Sequence, residues 1–437
     1  MRAALGCLLA LLSLAEASRI RHARPAHHHK RSAIRAPISY SPVQFSPHTI
    51  ELVDQVLAVA ATHSWEIGTR ETALLELKSP KYFLYSPSSS IPPPPLKSAS
   101  DIASISECFQ SVDSVLANKP AGIQTFFQDG ATGDPASVGI PFLIKNATMA
   151  NASSSSNYSI ATQEEFDHLL SLRREPTTGA ITTRELPEPI QFWADFGAMA
   201  PPFITYYGAI HQNQSIVQLG YDQIAAYRTL LLDTDVGLLE HIVMGGGPNA
   251  TPQDHGHWST GNSWFVAGIL RVGRVIALSR YANEMAEQRN TLLQWALEIS
   301  NAAWSYQDST GFLYNYIDCV ALGQTNSTSC FEDSAGTALM AANTFRLAHI
   351  LYSDESCTST LTVNGKLQFP NLLAAEKARE YIVKHVDTTT GIVGPIVNPL
   401  DWSSELVAGG TSPEGEGFVL LLQAAYQDWW GLTAGRY

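Results

Sequence analysis

The run Trp193-Ala-Asp-Phe-Gly-Ala-Met-Ala-Pro-Pro-Phe-Ile-Thr-Tyr-Tyr207 holds one carboxylate, Asp195, among aromatic and small apolar residues, with no basic residue for several positions. Wound as a helix, it brings Asp195, Met199, Pro202 and Tyr206 onto one stripe. A carboxylate on such a stripe is costly to desolvate, so burial raises its pKa and fits it to give a proton. Asp at a helix start also serves as an N-cap. Both readings of Asp195 are open at this point.

A second dense stretch is Asp254-His-Gly-His-Trp-Ser-Thr-Gly-Asn-Ser-Trp264, which leads into an apolar helix. Trp258 and Trp264, with Ser, Thr and Asn between them, suit a sugar ring: indole faces pack on its C–H groups while hydroxyls and amides bind its hydroxyls. His255 and His257 could ligate a metal, but they lack an H-E-x-x-H helix or neighbouring thiols, and a polar pocket rim fits them better. His241, in Gly237-Leu-Leu-Glu-His241, either bonds substrate or is a partly buried structural histidine. Glu332-Asp-Ser-Ala-Gly-Thr-Ala338 and Ser412-Pro-Glu-Gly-Glu-Gly-Phe418 place acids and serines at helix starts, where they are first of all caps. Gly245-Gly-Gly247 is a flexible turn, since no Lys-Ser/Thr follows it. The chain has no G-x-S-x-G and no dinucleotide fingerprint, so neither a common serine hydrolase nor a nicotinamide enzyme has support.

The elements that must position these residues read as helices. Apolar residues recur at three and four over Pro47–Thr62, Glu71–Lys78, Asp101–Ala117, Gln163–Leu172, Phe196–Ile210, Ile216–Leu232, Ser263–Tyr281, Ala286–Ser305, Ser334–Leu351, Asn371–Lys384 and Glu416–Trp430. Ser64–Arg70 is expected to interrupt the first two, and strand-like alternation is scarce. A polar-turn-Gly-apolar pattern recurs around Gly179, Gly237, Gly311 and Gly391, each between two helical windows. A helical hairpin fits that pitch, and about six fit the length. Stacked hairpins bury a common core by forming a solenoid or closing into a ring. The expected fold is therefore all-α, an (α/α)6 barrel occupying residues 32–437 as a single domain. In such a ring the inner-helix starts gather at one end, which is where the constellations above would meet.

The N-terminus reads as a secretory signal peptide over residues 1–17, with an apolar core Ala4–Leu14 behind Arg2. A basic pro-segment, residues 18–31, follows and ends at Lys30-Arg31, the dibasic pair that kexin-type proteases trim. Six N-x-S/T sequons (Asn146, Asn151, Asn157, Asn213, Asn249, Asn326) agree with export and glycosylation. Four cysteines remain after Cys7 leaves with the signal: Cys108, Cys319, Cys330 and Cys357. Two disulfides are expected, with Cys319–Cys330 the preferred bridge. With 27 basic and 40 acidic residues the formal net charge is -13. Such a surface repels nucleic acid and anionic membranes, and no other apolar run is long enough to span a bilayer.

Taken together, these stretches resemble the six-hairpin glycosidases, the unsaturated glucuronyl and rhamnogalacturonyl hydrolases of glycoside hydrolase families 88 and 105, in a fungal secreted form. Trp193-Ala-Asp195 through Phe203 is similar to that family's W-x-D-x-x-x-M-x-x-P-F, whose Asp is the catalytic acid/base. Gly237–His241 resembles G-L-x-x-H, whose His lines the site. Trp258–Trp264 resembles W-G-R-G/A-N-G-W, and Asp333–Ala338 resembles E/D-S-S-G-T-A. The resemblance runs from about Ser64 to Phe418. It departs at Thr260, where many members carry an Arg able to pair with a uronate carboxylate, and in Ile242-Val-Met-Gly245, which lacks polar residues. It implies Asp195 as the catalytic residue, with Trp193, Met199, His241, His257, Trp258, Thr260, Asn262, Trp264 and Asp333 around an oligosaccharide substrate, and no metal or cofactor. The implied reaction hydrates the enol ether of a 4,5-unsaturated uronic acid at the nonreducing end of lyase-cut pectin-type chains. It needs one proton-giving, water-activating group rather than a separated pair. The alternatives are an ordinary inverting glycosidase, pairing Asp195 with Glu332, Asp333, Glu414 or Glu416, and a glycan-binding paralogue without activity.

Overall fold

The computed structural model describes residues 43–149, 155–247, 250–353, 362–363, 366–367 and 369–434. The signal peptide, the pro-segment, Asn151, Asn249 and Cys357 lie outside the described residues. Among those described, twelve α-helices follow one another: α1 (Pro47–Ala60), α2 (Ser64–Lys78), α3 (Ala99–Asn118), α4 (Gly139–Thr148), α5 (Ser155–Ser171), α6 (Phe196–Ile210), α7 (Gln214–Leu231), α8 (Ser259–Leu278), α9 (Ala286–Trp304), α10 (Ser334–Ser353), α11 (Leu372–His385) and α12 (Pro413–Ala434). The even-numbered helices form an inner ring, α2, α4, α6, α8, α10 and α12, closed where α12 packs on α2. The odd-numbered helices flank it outside: α3 on α2, α5 on α4, α7 on α6, α9 on α8, α11 on α10 and α1 on α12. This is the (α/α)6 barrel that the periodicity predicts. No described helix is long and apolar enough to cross a membrane.

The recurring glycines are the turns that send the chain from outer to inner helix. Gly179, Gly237, Gly311 and Gly391 all take positive φ (76°, 79°, 121° and 81°), a conformation that glycine adopts without a Cβ clash. Each turn is pinned by an acid at its start. Glu175, Asp233, Asp308 and Asp387 accept from backbone N–H groups two or three residues on, as side chains do in Asx-type turns. The sequence repeat is thus a repeated device for reversing the chain.

Three expectations need correction. Ser64–Arg70 does not interrupt a helix: α2 is continuous, and the break lies at Ala61–His63, where Glu66 Oε2 accepts from His63 N at 2.8 Å. Its polar residues Glu66, Thr69, Glu71 and Thr72 are buried, because an inner helix is packed on all sides and shows no apolar stripe. For the same reason α8 begins at Ser259, four residues earlier than expected; α4, of only ten residues, also escapes the sequence reading. Of the two disulfides, Cys319–Cys330 is formed, while Cys108 is a free thiol buried in α3 and burial pushes its pKa up. Asn157, Asn213 and Asn326 are exposed and Asn146 is half-buried.

The crossing of α6 and α8 fixes where Asp195 sits. Pro201 and Pro202 lie inside α6, so the carbonyls of Gly197 and Ala198 lose their usual i+4 donors. Gly268 of α8 passes so close that a Cβ there would lie 1.9 Å from Gly197 O. Gly268→Ala should therefore cost about 3 kcal/mol and push the start of α6 off position. Denaturant titration beside an activity assay checks both.

Burial also pushes the carboxyls of Glu71, Glu165 and Glu416 up to about 8. The folded chain then holds protons that the unfolded chain releases from about pH 4.5 upward, so these groups stabilise the fold in acid and stop doing so as pH rises toward 8. The melting temperature should fall between pH 5 and pH 8, and Glu71→Gln should flatten that decline.

Candidate active site

Inner-helix starts and the loops before them converge on a cleft of about 170 Å3, lined by Trp65, Asp134, Thr183, Arg184, Trp193, Asp195, Met199, His241, Trp258, Trp264, Pro399, Leu400, Trp402 and Glu414. That is smaller than the roughly 300–1,000 Å3 of drug-sized ligand sites and suits one sugar ring.

A two-stranded clasp brings the central pair together. Gln191–Trp193 pairs antiparallel with Ile242–Met244, and Ala194 N donates to His241 O at 3.0 Å. Asp195 comes next and occupies the N-cap position of α6, yet its side chain caps nothing. Its Oδ1 is buried without a hydrogen-bond partner. Burial raises its pKa, against opposing attraction from His241 and Arg184. Asp134, at the turn before Pro135–Val138, also faces the cleft. Burial first, and then the neighbouring Asp195, push its carboxyl up to about 8. Two carboxyls that share a dry site do not ionise together, so the pair carries a proton at neutral pH.

His241 is oriented from behind. Its Nδ1 donates to Asp254 Oδ2 at 2.9 Å, and Tyr316 OH donates to the same oxygen at 2.6 Å. Burial would raise the Asp254 carboxyl, but these bonds hold it below the usual range. With Nδ1 committed, Nε2 is left buried and unpartnered beside the cleft. The walls are indoles. His241 lies 4.4 Å from Trp258, 5.1 Å from Trp402 and 5.5 Å from Trp193, centroid to centroid. Trp193 is fixed by Gln191 Oε1, which accepts its Nε1–H at 2.7 Å. The Arg184 guanidinium lies 4.3 Å over the Trp193 ring, and Arg184 is the one permanent cation among the residues lining the cleft.

The α8 residues divide by helical face. Trp258 and Trp264 point to the cleft. Ser259, Thr260 and Ser263 point to α10: Ser259 Oγ and Thr260 Oγ1 donate to Asp333 Oδ2 at 2.8 and 3.1 Å, and Ser263 Oγ to Gly336 O at 2.9 Å. Four of the residues expected in the site thus lie behind it. Thr260 is fully buried against Asp333. Asn262 ties Leu239 N and O to the helix start. Asp333 accepts five bonds, the other three from the N–H groups of Ala335, Gly336 and Val397. His257 donates from Nδ1 to Asp318 Oδ2 at 2.7 Å and faces Asp233 through Nε2 at 3.5 Å. Burial would lower its pKa, and those carboxylates raise it. Trp193, Met199, His241, Trp258 and Trp264 line the cleft with Asp195. His255 is exposed on Glu240 and Gln253, and no described cluster of three His, Cys, Asp or Glu could hold a metal ion.

Sequence reasoning missed Trp65, Asp134, Arg184 and Trp402. Asp134 precedes a proline and reads as a turn residue. Arg184 sits in a loop without periodicity, Trp402 in the short strand Asp401–Glu405, and Trp65 in the stretch expected to interrupt a helix.

Indole walls and buried carboxyls meet at one end of the (α/α)6 barrel, in a cleft that suits a sugar ring. Residues 134–342, which carry Asp134, Arg184, Asp195, His241, Trp258 and Trp264, match the sequence model described as Glycosyl Hydrolase Family 88. The fold is shared with a possible member of the GH105 family from Salmonella enterica serovar Paratyphi A (15% identity, 90% of this chain and 97% of that one, TM-score 0.63). It is also shared with a family 88 glycosyl hydrolase from Bacteroides vulgatus (13%, 88% and 100%, TM-score 0.56) and with an unsaturated glucuronyl hydrolase specific for heparin (11%, 89% and 97%, TM-score 0.55). No curated protein matches the chain in sequence.

If Asp333 is scaffold rather than site, Asp333→Asn should lower stability by about 3 kcal/mol, because its buried donors lose an acceptor. The protein that remains folded should keep its substrate affinity. Chemical denaturation and KM, measured on the same preparation, separate the two effects.

Proposed function

We propose that the protein is an exported hydrolase that removes a 4,5-unsaturated uronic acid from the nonreducing end of oligosaccharides left by polysaccharide lyases, those of pectin or rhamnogalacturonan type foremost. The observation that carries this reading is Asp195. It is a carboxyl at a helix start that caps nothing, its pKa raised by burial, and turned to a cleft for one ring. The match to glycosyl hydrolase family 88 supports the same chemistry, and the exposed sequons support export.

In this reading neutral Asp195 gives its proton to C4 of the enol ether, and the C4=C5 electrons form the new C–H bond. The positive charge left on C5 and the ring oxygen is met by water, whose proton returns to the Asp195 carboxylate. The C5 hemiketal opens to a ketone, and the hemiacetal exposed at C1 expels the next sugar. One group gives and takes the proton, so no second ionised carboxylate is needed. Asp134 shares the site's proton with Asp195, His241 offers Nε2 to a sugar hydroxyl, and Arg184 pairs with the uronate carboxylate. Thr260, bonded to Asp333, has no part in that pairing, and the cation comes from the loop before α6 instead.

An ordinary inverting glycosidase requires an ionised base across the ring. Glu332, Asp333 and Glu416 do not line the cleft. Glu414 does, but burial and its acidic neighbours hold its pKa well above the usual range, which unfits it as a base.

Oligosaccharides cut by pectate, rhamnogalacturonan or glucuronan lyase absorb at about 235 nm through the double bond that this hydration destroys. Wild type should bleach at least one digest. Asp195→Asn should be slower by at least ~100-fold, and wild-type kcat should fall as rising pH strips the proton from Asp195. Folded wild type that bleaches no digest would rule the reading out.

A further inference from the structure

Glu414 is not needed where it stands. It is the second residue of α12, and the start of that helix is already served by Ser412, whose Oγ accepts from Gly415 N at 3.3 Å and whose carbonyl accepts from Glu416 N at 3.0 Å. The Glu414 side chain runs instead to the cleft, with only 4% of the residue exposed. Trp65 Nε1 donates to its Oε1 at 2.8 Å. Its Oε2 is buried and has no partner.

The groups facing it decide its charge. From α2 come the Trp65 N–H and the Glu66 carboxyl, from the start of α6 Asp195, and from the short strand Glu332–Asp333 before α10 Asp333. Asp134, Arg184 and His241 share the cleft. Three carboxyls and one neutral N–H surround a buried acid with no cation in contact, so the neutral form is favoured. A neutral acid has a carbonyl oxygen, here satisfied by Trp65, and an O–H that must find an acceptor. Within the protein that O–H has none. A sugar hydroxyl seated over Asp195 supplies one.

We propose that Glu414 is a specificity-determining residue of this cleft: as a carboxylic acid its Oε2–H holds a hydroxyl of the bound sugar, and as a carboxylate it turns the anionic sugar away. The proposal rests on the uronyl hydrolase reading and adds to it a binding role for a third carboxyl. The consequence is a substrate affinity coupled to pH separately from the chemical step. Neutral Glu414 leaves the charge of Arg184 free to attract a uronate. Once ionised it would confront that uronate with an unpaired buried charge. Ionisation of Glu414 therefore appears in KM, whereas ionisation of Asp195 appears in kcat.

The test uses the full-length protein and whichever lyase digest wild type bleaches, with kcat and KM measured from acid to alkaline pH and the fold checked by thermal melting. Wild-type KM should climb as pH rises. Glu414→Gln keeps the shape and a donor but cannot ionise, so its KM should stay level over the same range. Glu414→Ala should raise KM about tenfold in acid, the worth of one lost hydrogen bond, with a smaller effect on kcat. Two results overturn the proposal: a KM that responds to pH equally in wild type and Glu414→Gln, or variants that lose kcat with KM unmoved, which would make Glu414 part of the chemistry or of the folding. A wild type that bleaches no digest overturns the parent reading, and this proposal falls with it.

Discussion

The structure depends on a carboxyl group kept from both of its usual partners. At a helix start Asp195 would ordinarily accept from a backbone N–H, and on a surface it would be solvated. Here the clasp of Gln191–Trp193 with Ile242–Met244 sets its backbone beside His241, and the contact of Gly268 with Gly197 holds the first turn of α6 in place. Indoles exclude water around it. Desolvation then does what no single neighbour does: it raises the pKa of the acid above that of a free Asp. On the proposed reading, the ring of hairpins matters to function because it fits a carboxyl to give a proton.

The polar groups at this end of the barrel fall into two sets. Asp333, Asn262, Asn315 and Asp254 have several partners each. They brace α8, α10 and the loops against one another. Asp195 Oδ1, His241 Nε2 and Glu414 Oε2 are each buried without a partner, and each belongs to a side chain lining the same cleft. Other buried atoms of the described residues also lack a partner, but these three gather at one small cleft, where a ligand could satisfy them together. The satisfied set keeps the unsatisfied set in place.

This division explains what the sequence could and could not reveal. Helical periodicity and the glycine turns disclose the barrel, because burying hairpins in a ring imposes a repeat on the chain. Asp195 is legible because an acid without a cation nearby is conspicuous. Trp258, Thr260, Asn262 and Trp264 stand together in the chain, and spacing alone cannot say that a helix beginning at Ser259 turns the indoles to the cleft and Thr260 to Asp333. Arg184 and Asp134 are invisible for the opposite reason: their neighbours in space lie on other hairpins, and a lone Arg or Asp in a turn has no pattern. The inner helix α2 is blurred too, since its buried polar residues interrupt the apolar stripe that marks an outer helix.

A last question is how a protein with formal net charge -13 and three carboxyls in one cleft could accept a sugar acid. Counted as ionised, Asp134, Asp195 and Glu414 would repel it. Buried together they are not all ionised: each raises the cost of charging the next, and the shared proton leaves the cleft far less negative than its composition. Against that lowered charge a single guanidinium, held on the face of Trp193, favours an anion, and the starts of α2, α6, α8 and α12, the positive ends of their dipoles, border the same cleft. On the uronyl hydrolase reading, the acids that would exclude a uronate in water are, by their crowding, what lets this cleft admit one.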